Sequence, residues 1–163
     1  MKIRKAKLSD VEVIHGLISY YAERDLMLAR PRAVLYEAVR EFTIAEENSR
    51  IIAAGSLHII WEDLGEIRAL AIDPDYTRRG IGRILVEAFL TEAKELEIPR
   101  IFALTYQEGF FTKCGFRPIL KEELPQKVWK ECINCPKFPK CEETAVIIDL
   151  RENKTGEKCY QLP

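Results

Sequence analysis

The chain has no hydrophobic run long enough to span a membrane, and its first residues, MKIRKAKLSD, carry charge with no apolar run behind them. Both absences read against a membrane-spanning segment or a secretory leader, so a cytoplasmic location is expected. A surplus of one charge is also lacking: 25 Lys and Arg stand against 26 Asp and Glu. Neither nucleic acid nor an anionic membrane is therefore expected as a partner. The phosphate-binding signatures GxGxxG and GxxxxGK followed by Ser or Thr are both missing, which sets aside the dinucleotide fold and the P-loop. Histidine is scarce. His15 reads as a surface or half-buried helix residue and His58 as a structural strand residue, since neither stands in a polar motif. At 163 residues the chain can fill one hydrophobic core and is short for two. Residues 1–150 are read as one domain with a Cys-containing insert at about 124–143, followed by a polar tail, 151–163, expected to be mobile.

What the chain does have is a distinctive stretch from Glu66 to Leu96. Ile67, Ala69 and Ala71 alternate with Arg68, Leu70 and Ile72, as in a largely buried strand, and Asp73-Pro74-Asp75 ends it. From Ile81 the apolar residues Ile84, Leu85, Ala88, Phe89, Ala93 and Leu96 follow helical spacing, with Arg83, Glu87, Glu92 and Glu95 opposite. Strand becomes helix through TRRGIG. The first amides of a helix lack internal partners and carry the positive end of its dipole, so they suit an anion. Gly80 and Gly82 permit close approach, and Arg78, Arg79 and Arg83 add charge, which points to a phosphate or pyrophosphate. The plainer reading is a solvated basic turn before an amphipathic helix.

The rest of the chain supports that stretch. Ile3 to Leu8 reads as a strand, and Ser9 with Glu12 as a capping box opening a helix to about Glu23, with Val11, Ile14, Leu17, Ile18 and Tyr21 inward. Pro31 suits the first turn of a second helix to about Glu41, with Val34, Leu35, Ala38 and Val39 inward. Phe42–Glu46 and Arg50–Trp61 read as strands joined by ENS, and Glu62 to Gly65 as the turn into the central strand. After the main helix, Arg100–Tyr106 forms a strand parallel to the central one, Glu108–Cys114 a short helix, and Phe116–Leu120 and Thr144–Leu150 the last strands.

The order strand, D-P-x-Y-x-x-R-G-x-G, helix, and later F-F-T-K-C-G-F resembles the GNAT superfamily of acetyl-CoA-dependent N-acetyltransferases over most of residues 3 to 150. The resemblance implies an α/β (α+β) GNAT fold. Its sheet would be mixed and mostly antiparallel, with about six or seven strands, helices on both faces, and a central parallel pair splayed to bind acetyl-CoA. It assigns Arg78, Arg79, Gly80, Ile81, Gly82 and Arg83 to the pyrophosphate of that co-substrate. One departure is Thr77, which stands where the family pattern has Gln or Arg. Backbone amides at about Leu70, Ala71 and Ile72 would face the pantetheine arm and thioester oxygen. Glu66 is the candidate general base, with Glu62 or Asp63 behind it; otherwise it is a solvated strand-edge carboxylate. Many members protonate the departing thiolate with a tyrosine, and here that position is Phe111, which can line the cofactor but cannot donate. Tyr106, Thr112 or water would then serve, or no acid is needed. Cys114 reads as a space-filling residue.

Within the superfamily, GEIRALAIDPDYTRRGIG, LTYQEGFFTKCGF and LPQKVWKECINCPKFPKCEE are similar to the short, single-domain N-acetylglutamate synthases, which act in arginine synthesis. A dicarboxylate acceptor needs cationic anchors, and Arg68, Arg30, Lys113 and Lys127 are the candidates. Met27 and Leu28 join Arg30 in the loop that would wall the acceptor site. Arg68 could instead pair with Glu66 or Asp63. Another acceptor, such as a polyamine, an antibiotic or a protein N-terminus, stays open, as does an acetyl-CoA sensor without turnover. A homodimer is compatible with the sequence. Cys132, Cys135 and Cys141 form an incomplete zinc set, to which Cys159, Cys114, His58 or a partner chain could add a ligand. A redox or regulatory disulfide and reduced packing cysteines are the other readings.

Overall fold

A computed structural model describes residues 1–130 and 142–151. The candidate metal ligands Cys132, Cys135 and Cys141, with Cys159 and the tail from 152 onward, lie outside the described residues. Among the described residues, no group of three or more His, Cys, Asp or Glu could hold a metal ion. Nor is any helix among them long and apolar enough to cross a membrane.

Seven strands run in chain order: β1 (Lys2–Lys5), β2 (Phe42–Glu47), β3 (Arg50–Trp61), β4 (Leu64–Ile72), β5 (Arg100–Thr105), β6 (Arg117–Ile119) and β7 (Thr144–Asp149). They form a seven-stranded sheet in the order β1-β2-β3-β4-β5-β7-β6. β4 and β5 are parallel, paired at Gly65 with Ile101 and Glu66 with Phe102. The β1/β2, β2/β3, β5/β7 and β6/β7 pairs are antiparallel, so the sheet is mixed as expected. The helices are α1 (Val11–Ala22), α2 (Arg32–Glu37), α3 (Ile81–Glu95) and α4 (Glu108–Lys113). By contacts the chain divides into two compact units, Met1–His58 with Ile67–Glu92, and Ile59–Glu66 with Ala93–Pro163.

In the first unit α1 forms because Val11, Ile14, Leu17 and Ile18 recur at helical spacing, and all four are buried. They meet Leu35 of α2 and Phe42, Ile44, Ala54 and Ala71 of the sheet. Fully burying one such side chain stabilises the fold by about 1.5–3 kcal/mol. The next residue of β3, Gly55, faces the other way: a Cβ there would lie 3.1 Å from Phe89 of α3 and from Leu70. Helices therefore cover both faces of β3, and Gly55 allows the Phe89 ring to lie against the strand. In the second unit Leu64, Phe102, Ala145 and Ile147 pack with Leu124 and Val128. Cys114 is buried at the end of α4, the space-filling position expected for it.

Several expectations need correction. β1 stops at Lys5, and Leu8–Asp10 form a 3-10 turn. Asp10, rather than Ser9, closes this turn, its Oδ2 accepting from the Lys7 amide at 2.7 Å. α2 ends at Glu37 because Ala38, at φ −97° and ψ 11°, leaves the helical region, and Val39–Glu41 continue as a 3-10 turn. Pro31 caps that helix from an extended conformation, outside its first turn, and Val34 is exposed. β4 begins at Leu64, earlier than expected. α3 buries Val86 and Leu90 besides the expected face, while Leu96 lies past its end and is exposed. Tyr106 falls just beyond β5. His58, by contrast, is a strand residue as read, with its Nδ1 3.0 Å from both carboxylate oxygens of Glu41.

Arg4 ties β1 to the helical turn that follows it. Its Nη1 and Nη2 donate to Asp10 at 2.7 and 3.1 Å, and its Nε to Glu46 at 2.7 Å. These guanidinium bonds hold the Asp10 carboxyl below the usual carboxylate range, against the opposing effect of burial. A folded pKa below the unfolded one gives stability that is present above the unfolded value, about 3.9, and is lost as pH falls through the depressed value. Arg4→Met is expected to cost about 2 kcal/mol near neutral pH, read by denaturant unfolding. The gap to wild type should narrow as pH falls below about 4. A gap that persisted in acid would assign the loss to packing instead.

Candidate functional site

The connection from β4 to α3 is held along its length. The Tyr21 hydroxyl of α1 donates to the Ile72 carbonyl at 2.6 Å, and the Asp73 amide donates to Ile52 of β3 at 2.8 Å. Asp73 then starts a 3-10 turn, Pro74–Tyr76, its Oδ1 accepting from the Asp75 amide at 3.0 Å. Thr77, the residue out of pattern, donates its hydroxyl to the Pro74 carbonyl at 3.1 Å and so closes the turn locally. Arg78 and Gly80 take left-handed conformations, φ 64° and 78°. This costs glycine nothing and an arginine about 1–2 kcal/mol. α3 begins at Ile81, and the Ile84 amide donates to the Gly80 carbonyl at 3.2 Å. The amides of Ile81, Gly82 and Arg83 precede the first intrahelical donor and meet the positive end of the helix dipole.

The arginines here differ in what they touch. Arg83 has Nε 3.4 Å from Glu87 Oε1, yet its Nε and Nη2 are buried without a hydrogen-bond partner. Buried donors of this kind call for an acceptor. Arg78 is exposed. Arg79 is engaged: Nη2 and Nη1 donate to the two oxygens of Glu47 at 3.0 and 3.2 Å, and its guanidinium carbon lies 5.0 Å from the Tyr76 ring centre. The Arg79 hydrogen bonds hold the Glu47 carboxyl below its usual range. The first-turn amides and the open space beside Gly80 fit an anion such as a pyrophosphate.

On β4 the backbone of Ala69 is left-handed, φ 52°, immediately before Leu70, Ala71 and Ile72. An alanine in that region marks a strand whose regular pleat is interrupted, the feature expected of a strand that offers amides to a ligand. Glu66 is buried, with 7% exposure, and is not a solvated edge residue. Arg68 is half-buried, its carbonyl accepting from Ser56 at 3.3 Å, while Asp63 is engaged by Arg100 at 3.1 Å. Arg30 is half-buried in the segment between α1 and α2. In the second unit, Tyr106 is half-buried beyond β5, and Lys113 is exposed at the end of α4. Lys127 lies in the 3-10 turn Gln126–Lys130. Phe111 is buried, with edge-to-face contacts to Phe110 and Phe116, both at 5.1 Å.

The acetyltransferase (GNAT) family model matches residues 11–116, more than half of the chain. The chain belongs to this family. It is an acetyltransferase of the GNAT type, and the seven-stranded mixed sheet with its helices is the GNAT fold. It is 39% identical over 132 residues to the amino-acid acetyltransferase of Mycobacterium tuberculosis, covering 79% of this chain and 75% of the relative. A M. tuberculosis protein solved in complex with CoA superposes with a TM-score of 0.81 at 31% identity, covering 92% of this chain and 99% of that one. N-acetylglutamate synthase from Neisseria gonorrhoeae, complexed with coenzyme A and N-acetyl-glutamate, gives 0.83 at 27% identity. That match covers 91% of this GNAT chain but 35% of the Neisseria protein.

Sequence reasoning missed Glu47, Arg50, Tyr76 and Tyr21, which contact or anchor the connection. The available signal was Glu47-Asn-Ser-Arg50, a hairpin turn with an opposite charge on each side.

Proposed function

We propose that this GNAT enzyme transfers the acetyl group of acetyl-CoA to the α-amino group of L-glutamate, an N-acetylglutamate synthase reaction of arginine synthesis. In this reading residues 1–150 act as one acetyltransferase domain in the cytoplasm. The observation that carries the acceptor is the match to an N-acetylglutamate synthase solved with coenzyme A and N-acetyl-glutamate. The relative named amino-acid acetyltransferase, matched over most of both chains, agrees with it.

Acetyl-CoA supplies the acetyl group as a thioester. Arg78, Arg83 and the amides from Gly80 to Gly82 are assigned to its pyrophosphate, and the amides of Leu70, Ala71 and Ile72 to the pantetheine arm and the thioester oxygen. Glu66 takes a proton from the substrate ammonium, directly or through water, leaving a neutral amine. The amine nitrogen bonds to the carbonyl carbon as the carbon–sulfur bond breaks, and it gives up its second proton to water as the amide forms. The departing thiolate belongs to a thiol of pKa about 8.5, so Tyr106 or water suffices to protonate it. Arg68 anchors the side-chain carboxylate of glutamate, with Arg30, Lys113 and Lys127 as further cations.

Coenzyme A release, measured across amino acids, polyamines, aminoglycosides and peptides, tests this reading. Turnover is expected with glutamate. Turnover with another amine alone would overturn the acceptor, and tight acetyl-CoA binding without turnover would make the protein a sensor.

A further inference from the structure

The β2–β3 hairpin closes through two residues, Asn48 and Ser49, both left-handed with φ 50° and 61°. Left-handed residues at both central positions are the mark of a tight hairpin turn whose twist matches its strands. Glu47 and Arg50 face each other across its mouth. Each also reaches the β4–α3 connection: Glu47 takes both terminal nitrogens of Arg79 at 3.0 and 3.2 Å, and Arg50 donates to Asp73 Oδ2 at 2.7 Å. Both guanidinium groups approach the Tyr76 ring, the Arg50 and Arg79 guanidinium carbons lying 5.5 and 5.0 Å from its centre. One rigid hairpin end thus grips the connection at its first residue and again just before Gly80.

We propose that Glu47 and Arg50 are positioning residues, and that the β2–β3 hairpin end braces the β4–α3 turn in the shape that binds the coenzyme A phosphates. This rests on the reading of that turn as the phosphate site. The brace is neutral, two carboxylates against two guanidinium groups, and it takes up Arg79, whereas Arg78 is exposed and outside it. Exposed ion pairs contribute little one at a time. These act together on a connection whose Arg78 and Gly80 are left-handed, and a turn held before binding need not be ordered by the ligand.

The test is calorimetric binding of coenzyme A to the full chain and to E47Q, R50Q, R79Q and the exchange E47R/R79E, with melting curves to verify folding. E47Q and R50Q are each expected to raise the Kd about three- to tenfold, with kcat at saturating acetyl-CoA unchanged. High salt should shrink the difference, since exposed pairs are screened. The exchange variant should bind better than R79Q, because it restores a neutral pair. Binding worse than R79Q would place residue 79 against the phosphates and overturn the brace. So would tighter binding by E47Q, which would make Glu47 a competitor for Arg79, or unchanged binding by E47Q and R50Q. Failure of the wild type to bind coenzyme A would remove the phosphate reading of the turn, and the brace with it.

Discussion

Glu66→Gln is expected to lower kcat by about 10²- to 10³-fold, with the Kd for acetyl-CoA unchanged. Glu66 is buried on β4, paired in the parallel ladder with Phe102. Glutamine keeps the length of the side chain and loses its charge and its ability to take a proton. Few other changes separate proton transfer from shape so cleanly. Alanine would leave a cavity as well, and a fall in activity would then be shared between chemistry and packing. The measurements are steady-state kinetics at saturating acetyl-CoA and calorimetry of acetyl-CoA binding. A variant that kept more than about a third of wild-type kcat would exclude Glu66 as the base, since positioned proton transfer contributes at least about 10²-fold.

Arg68→Ala is expected to raise the KM for glutamate by about 30- to 100-fold and the KM for acetyl-CoA by less than about twofold. A hydrogen-bonded pair with a charged group contributes about 1.5–3 kcal/mol, and each 1.36 kcal/mol is tenfold. Arg68 is half-buried two residues along β4 from Glu66, where a guanidinium meets its partners with less competition from solvent. Initial rates with each substrate varied at saturation of the other give the split. Equal effects on both KM values would show that Arg68 supports β4 generally and would remove it as the anchor.

The elements legible in the sequence were those set by short-range pattern. β3 runs over the expected Arg50–Trp61, because a long apolar run is bounded by turn residues, and α3 starts at the expected Ile81, behind a glycine that can adopt positive φ. The turn between β4 and α3 was legible for the same reason, since its glycines, arginines and helix start are adjacent. Contacts between distant segments were not. Glu47 lies 32 residues before Arg79, and no local pattern announces that the two meet. Asp10 displaced Ser9 as the turn's closing residue because Arg4 and the Lys7 amide converge on its carboxylate. Strand alternation also hid the left-handed Ala69, because an alanine carries no marker of unusual backbone, as a glycine would.

The most direct test of the central claim is product analysis by mass spectrometry after incubating the protein with acetyl-CoA and L-glutamate, with coenzyme A release measured in the same sample. N-acetylglutamate should accumulate with one coenzyme A released for each molecule formed, in wild type and far more slowly in Glu66→Gln. Coenzyme A release without N-acetylglutamate, or an acetylated product only from a different amine, would contradict glutamate as the acceptor.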